Sequence, residues 1–167
     1  MKILLIVDVQ NGFVRSDETK AVAQKIVQLS KEHKFNYIIA SKFINNPDSP
    51  YVNVLKWNRL MKSPETDLVD GLNYDESFEK GTYTCWSESF AKKLLEINGG
   101  EKPESIYLCG IDTDCCVLNT AIDLFERGIC PKVLIDCCFS NGGQKYHDAA
   151  ISILERNIGK DNIVHDI

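Results

Sequence analysis

A chain of 167 residues, 44% hydrophobic and 26% charged, is long enough to bury a core as one domain. Its net charge of -5, with no basic run, excludes the clustered Lys and Arg on which nucleic-acid binding rests. No stretch approaches the roughly twenty apolar residues of a membrane span, and MKILLIVDVQ is too short and too acidic for a secretory signal. A cytoplasmic location with reduced thiols and no membrane partner is therefore expected.

The first element, ILLIVDV (Ile3 to Val9), is continuous and apolar, as a buried strand should be. Asp17 to Lys34 then places Val22, Ile26 and Leu29 on one face of an amphipathic helix. YIIASKF (Tyr37 to Phe43) is a second strand, and the Asn, Pro and Ser of INNPDSPYVN make a loop. A short helical piece is expected over Asn53 to Met61, and a further strand around Leu72 to Phe78. Glu88 to Ile97 is a helix capped by Ser87 and ended by Gly99 and Gly100. Next come a strand at Ser105 to Ile111, a helix from Cys116 to Arg127 closed by Gly128, and a strand in KVLIDCC, Lys132 to Cys138. A helix over Gln144 to Asn157 and a short strand in NIVHD, Asn162 to Asp166, complete the series.

Alternating strands and helices predict a doubly wound three-layer α/β/α sandwich around a mostly parallel five- or six-stranded sheet, with residues 1–167 as a single domain. Ligands of such sheets bind beyond the carboxyl ends of the strands. Asp8 stands at one such end, where an acid is either a structural carboxylate satisfied by backbone N–H groups or a base or metal ligand. Gln10 occupies the position where a D-x-D phosphatase would need its second acid. GIDTDCCVLNTAIDLF sets Cys115 and Cys116 at a loop-to-helix junction, where helix N–H groups would lower a thiol pKa and hold an oxyanion. Adjacent helical residues point about 100° apart, so at most one of them aims at a given substrate atom. The other reading is two packed small residues. Asp112 and Asp114 oppose thiolate formation; Asp114 is read as an N-cap, and Lys80 in FEKGTYTCW as the compensating cation, or else as a surface lysine. The seven cysteines are odd in number and include no C-x-x-C, so neither a disulfide framework nor a zinc ribbon is indicated.

DVQNGF (Asp8 to Phe13), KGTYTCW (Lys80 to Trp86), GIDTDCCVLNTA (Gly110 to Ala121) and VLIDCCFSNGGQKYHDAAISIL (Val133 to Leu154), in that order, resemble the isochorismatase-like cysteine hydrolases, a family that includes nicotinamidases. The resemblance runs over nearly the whole chain. It implies a catalytic triad of Asp8 as base, Lys80 and the nucleophile Cys116, and a cis peptide between Ile111 and Asp112. It also implies an oxyanion hole formed by the N–H groups of Asp112 and Cys116. The activity implied is cleavage of a C–N bond of a small molecule through a Cys thioester. Substrate walls are expected from Phe13, Trp57, Tyr83 and Trp86. Two departures stand out. Nicotinamidases carry an Asp-x-His…His metal site after the second strand, whereas FINNPDSPY has no histidine, so no metal and no cofactor are expected. Asp112 replaces a residue that is more often small, and either points away or favours a cationic substrate. A homo-oligomer is the family's habit. The rival readings are a redox-sensing module using Cys115 and Cys116 as an oxidisable pair, and isochorismate-type ether cleavage, which does not need the cysteine.

Overall fold

The computed structural model describes residues 1–165. Its framework is a six-stranded, wholly parallel sheet in the order β3-β2-β1-β4-β5-β6. The strands are β1 (Ile3–Val7), β2 (Tyr37–Phe43), β3 (Glu76–Lys80), β4 (Ser105–Ile111), β5 (Cys130–Phe139) and β6 (Ile163–Val164). Between them run α1 (Asp17–Ser30), the single turn α2 (Pro50–Asn53), α3 (Glu88–Ile97), α4 (Leu118–Glu126) and α5 (Gln144–Ile158).

Strand residues alternate between two cores, as the two-residue period requires. Ile3, Leu5, Val7 and Leu108 face α3, α4 and α5 through Phe90, Leu94, Ala121, Leu124 and Leu154. Leu4, Ile6, Ile38 and Ala40 face α1 through Val22, Ala23 and Ile26, and meet the long β2–β3 connection through Tyr51 and Leu60. Every residue of β1 is 0% exposed, which explains its unbroken apolar sequence.

Several element ends differ from the sequence expectation. β1 stops at Val7 because Asp8 takes the left-handed conformation, φ 52°, which turns the chain out of the sheet. α1 ends at Ser30 rather than Lys34; His33, at φ 53°, is already outside helical space. The helix expected over Asn53 to Met61 is absent: Lys56 and Leu60 are both left-handed, and only Pro50–Asn53 is helical. The strand expected around Leu72 to Phe78 lies at Glu76–Lys80, and the last strand is confined to Ile163–Val164, its expected terminus Asp166 lying outside the described residues.

Strand order reverses between β1 and β4, and beside this switch point Gly110 lies tight against the Val7 backbone. Gly110, at φ 142°, makes the approach possible, since a Cβ there would collide with the Val7 carbonyl oxygen. Gly110→Ala is expected to destabilise the fold by ~3 kcal/mol or more, because it adds both a backbone strain and a steric overlap. Urea unfolding would measure it.

Candidate active site

Three strand ends converge at the switch point. Asp8 leaves β1, Lys80 closes β3, and Cys116 follows β4. The Asp8 carboxylate is fully buried: Oδ1 accepts from Ser41 Oγ at 2.6 Å, and Oδ2 lies 2.6 Å from Lys80 Nζ. Lys80, its side chain only 5% exposed, also donates to the carbonyls of Thr82 (2.7 Å) and Tyr83 (3.0 Å). Its three ammonium protons thus have three acceptors. Burial works against its charge most strongly, but Asp8 and then Cys116 outweigh it and raise the Lys80 pKa, so the ammonium stays charged. It is a fixed cation with no proton to lend.

Cys116 is 3% exposed and its pKa is raised well above an ordinary thiol's, by burial first and by the Asp8 charge next, while Lys80 pulls it down. This reverses the expectation of a thiol acidified by a helix N-terminus. The reason is local. Cys116 does not open α4 but sits inside a wide π-turn, Thr113–Val117, whose entry carbonyl, Asp112 O, accepts from both Cys115 N and Val117 N at 3.2 Å. The peptide between Ile111 and Asp112 is cis. Cys115 is half-buried and its thiol is pushed up to about 12 by burial, Asp114 and Asp112, in that order. Of the two neighbours, only Cys116 faces both a carboxylate and a cation.

Nor is Asp114 an N-cap: its carboxylate accepts from Ser140 Oγ. Asp112 points the same way, its Oδ1 accepting from Asn141 N (2.7 Å) and Asn141 Nδ2 (2.8 Å). Burial, outweighing these bonds, raises the Asp112 pKa to about 6. The folded chain therefore holds a proton that the unfolded chain, with Asp near 3.8, releases earlier. Stability from this group is full below that lower value and is lost as pH rises toward 6. Asp112→Asn, which keeps an acceptor for Asn141, is expected to be more stable than the parent above pH 6, by at most about 3 kcal/mol. Urea titrations between pH 4 and 7 would show the two curves diverging.

Above Cys116 opens a cavity of about 270 Å³, close to the lower end of small-molecule sites at roughly 300–1,000 Å³. Phe13, Phe43, Tyr51, Trp57 and Tyr83 wall it, with Arg15, Leu55, Asp112 and Cys115 completing the lining. Phe13 and Trp57 stack at 5.9 Å, and Tyr51 meets Phe43 and Tyr83 edge-on, both at 5.0 Å. Buried polar hubs hold these walls. Gln10 bonds both backbone groups of Phe43 and the Thr66 carbonyl, and Asn45 donates to the carbonyls of Trp57 and Arg59. Trp86 is not part of this cavity. It packs edge-on against Phe90 at 6.3 Å and under the Arg127 guanidinium at 4.6 Å, because the chain has by then turned into α3. Phe43 and Tyr51 were not foreseen as walls; their closeness to the carboxyl end of β2 was the available signal.

The segment where nicotinamidases hold a metal does not fit one here: it has no imidazole, and the Asn45 amide is spent on Trp57, Arg59, Asn46 and Ser49. Among the described residues Asp112, Asp114 and Cys115 do bring ligand atoms within 4.8 Å of one another, but both acids are already bonded to the β5–α5 segment.

The isochorismatase domain model matches residues 2–160. The chain belongs to the isochorismatase family. Among curated relatives it is 47% identical over 57 residues to isochorismatase domain-containing protein 2A of Mus musculus, covering 34% of this chain and 27% of that protein. It is 28% identical over 142 residues to isochorismatase domain-containing protein 2 of Xenopus laevis, covering 83% and 60%. The chain thus spans about 27–31% of the length of the first relatives it matches. Its fold superposes on a nicotinamidase of Bacillus subtilis at TM-score 0.79, with 21% identity over 95% of this chain and 97% of that one. It also superposes on an N-carbamoylsarcosine amidase of Thermoplasma acidophilum at 0.76, with 19% identity over 99% and 100%. Both are similar in fold. No helix among the described residues is long and apolar enough to cross a membrane.

Proposed function

We propose that this chain is a metal-independent cysteine hydrolase that cleaves a C–N bond of a small molecule. The carrying observation is the Asp8–Lys80 pair at 2.6 Å, with Asp8 fully buried and Lys80 nearly so, placed beside the cavity-lining thiol that faces both charges. A buried ion pair is a weak source of stability, so its position at the switch point argues for chemistry. In the reaction, Asp8 takes the Cys116 proton as sulfur attacks the carbonyl carbon, and Lys80 keeps the developing charges fixed. The N–H groups of Asp112 and Cys116 hold the oxyanion. Asp8 then returns the proton to the departing amine, leaving a thioester; water, deprotonated by Asp8, releases the acid and restores the thiol. Aromatic walls suit a flat, weakly polar acyl group. That the nicotinamidase and the N-carbamoylsarcosine amidase named above share this fold supports an amide or ureido bond as the target.

The test is ammonia release from a panel of primary amides and ureido acids, run beside Cys116→Ala. Turnover of one class that disappears in the variant supports the reading. Equal turnover in parent and variant ends it. A cytoplasmic homo-oligomer is part of the same proposal; light scattering on the purified chain would test the assembly.

A further inference from the structure

Three consecutive residues of the nucleophile turn, Asp112, Thr113 and Asp114, each bond to the segment that follows β5: Asp112 to Asn141, Asp114 to Ser140, and Thr113 Oγ1 to His147 Nδ1 at 2.8 Å. The third bond differs from the others in depth. Thr113 is 0% exposed, His147 in the first turn of α5 is 8% exposed, and the ring packs on Phe139 at 5.1 Å. The Thr113 hydroxyl has no other hydrogen-bond partner among the described residues. Its carbonyl accepts from Leu118 N, where the turn passes into α4. Burial lowers the His147 pKa, against the raising influence of Asp148, Asp114 and Asp136, which favours the neutral ring, in which one nitrogen is an acceptor.

We propose that His147 is a positioning residue: through Thr113 it fixes the turn that carries Cys116 and the two oxyanion donors. The inference rests on Cys116 being the nucleophile. His147 touches no substrate. Its part is to hold the underside of the turn while Asn141 and Ser140 hold its flanks, so that the sulfur stays beside Asp8 and within the field of Lys80. A turn held from below on one side only would tilt, and small misplacements of a reacting atom cost rate steeply.

The experiment is the alkylation rate of Cys116 by iodoacetamide at pH 7, resolved by peptide mass spectrometry, with the partly buried Cys137 as internal reference. His147→Phe keeps the ring volume but loses the bond; His147→Asn keeps a polar atom near the Nδ1 position; Thr113→Val and Thr113→Ser remove and retain the hydroxyl. His147→Phe and Thr113→Val are each expected to slow Cys116 about tenfold. The double variant should be no slower than either single, since one bond is lost in all three. His147→Asn and Thr113→Ser should stay within about threefold of the parent. If His147→Phe does not fold, the contrast between Thr113→Val and Thr113→Ser decides the matter by itself. Parental rates in folded His147→Phe and Thr113→Val, or His147→Asn as slow as His147→Phe, overturn the proposal. A parent whose Cys116 is no more reactive than Cys115 overturns the nucleophile reading instead, and this inference falls with it.

Discussion

Asp8→Asn is expected to lower hydrolytic turnover by about 100- to 10,000-fold, the usual range for a lost general acid–base group, while leaving Cys116 alkylation at pH 7 no slower than in the parent. The two readouts part because Asp8 acts on the thiol in two ways. Its charge raises the Cys116 pKa, second only to burial, whereas Lys80 lowers it. Removing the charge leaves the cation unopposed, so the resting thiolate is no scarcer. What disappears is the group that, in the proposed mechanism, carries a proton from sulfur to the departing amine. The asparagine oxygen can still accept from Ser41, but its NH2 then faces the Lys80 ammonium, so urea unfolding must first show that the variant is folded. A substrate found in the amide panel and a peptide-resolved alkylation assay would measure both rates. If both fell together, Asp8 would be only a prop for the thiol.

Lys80→Met should be the most destabilising single change in the site, at about 3–5 kcal/mol, the usual result of breaking a buried pair from one side. Asp8, 0% exposed, would keep Ser41 as a donor but lose its counter-charge, and the carbonyls of Thr82 and Tyr83 would lose their donor. The double variant Asp8→Asn/Lys80→Met removes both charges and is expected to recover most of that loss while remaining inactive. Urea unfolding of the two singles and the double gives the coupling directly. A Lys80→Met variant as stable as the parent would mean that the pair contributes nothing to holding the end of β3 to the end of β1 across β2.

The regular parts of the fold were legible because their signals are local. Tyr37–Phe43, Glu88–Ile97 and Ser105–Ile111 carry apolar periodicity between clear turn residues, and the structure has the same bounds. Strand-end position pointed to Asp8 and to Cys115 or Cys116, and only the family resemblance added Lys80 and chose Cys116; the structure brings these three together, and the cavity includes the foreseen Phe13, Trp57 and Tyr83. Other features depend on partners distant in the chain. The π-turn rests on the Val117 N–H reaching back five residues to the Asp112 carbonyl, a spacing that no composition reveals. Trp86 and Trp57 look equally suited to a wall; only the placement of α3 sends one of them away. The bond between Thr113 and His147 joins residues 34 positions apart, and a lone histidine in a helix reads equally as exposed or as packed until its neighbours are known.

The proposed triad draws on strands of unequal security. β1 is fully buried, whereas β3 lies at the sheet's edge, pairs with β2 alone and is mostly half-exposed. Edge elements open locally at lower free energy than the whole. Lys80 closes that strand, so fraying at the margin withdraws the cation while Asp8 and Cys116 keep their places in the interior. On the proposed mechanism, activity is expected to be lost reversibly on warming before the body of the fold unfolds, because the edge strand that carries Lys80 opens first.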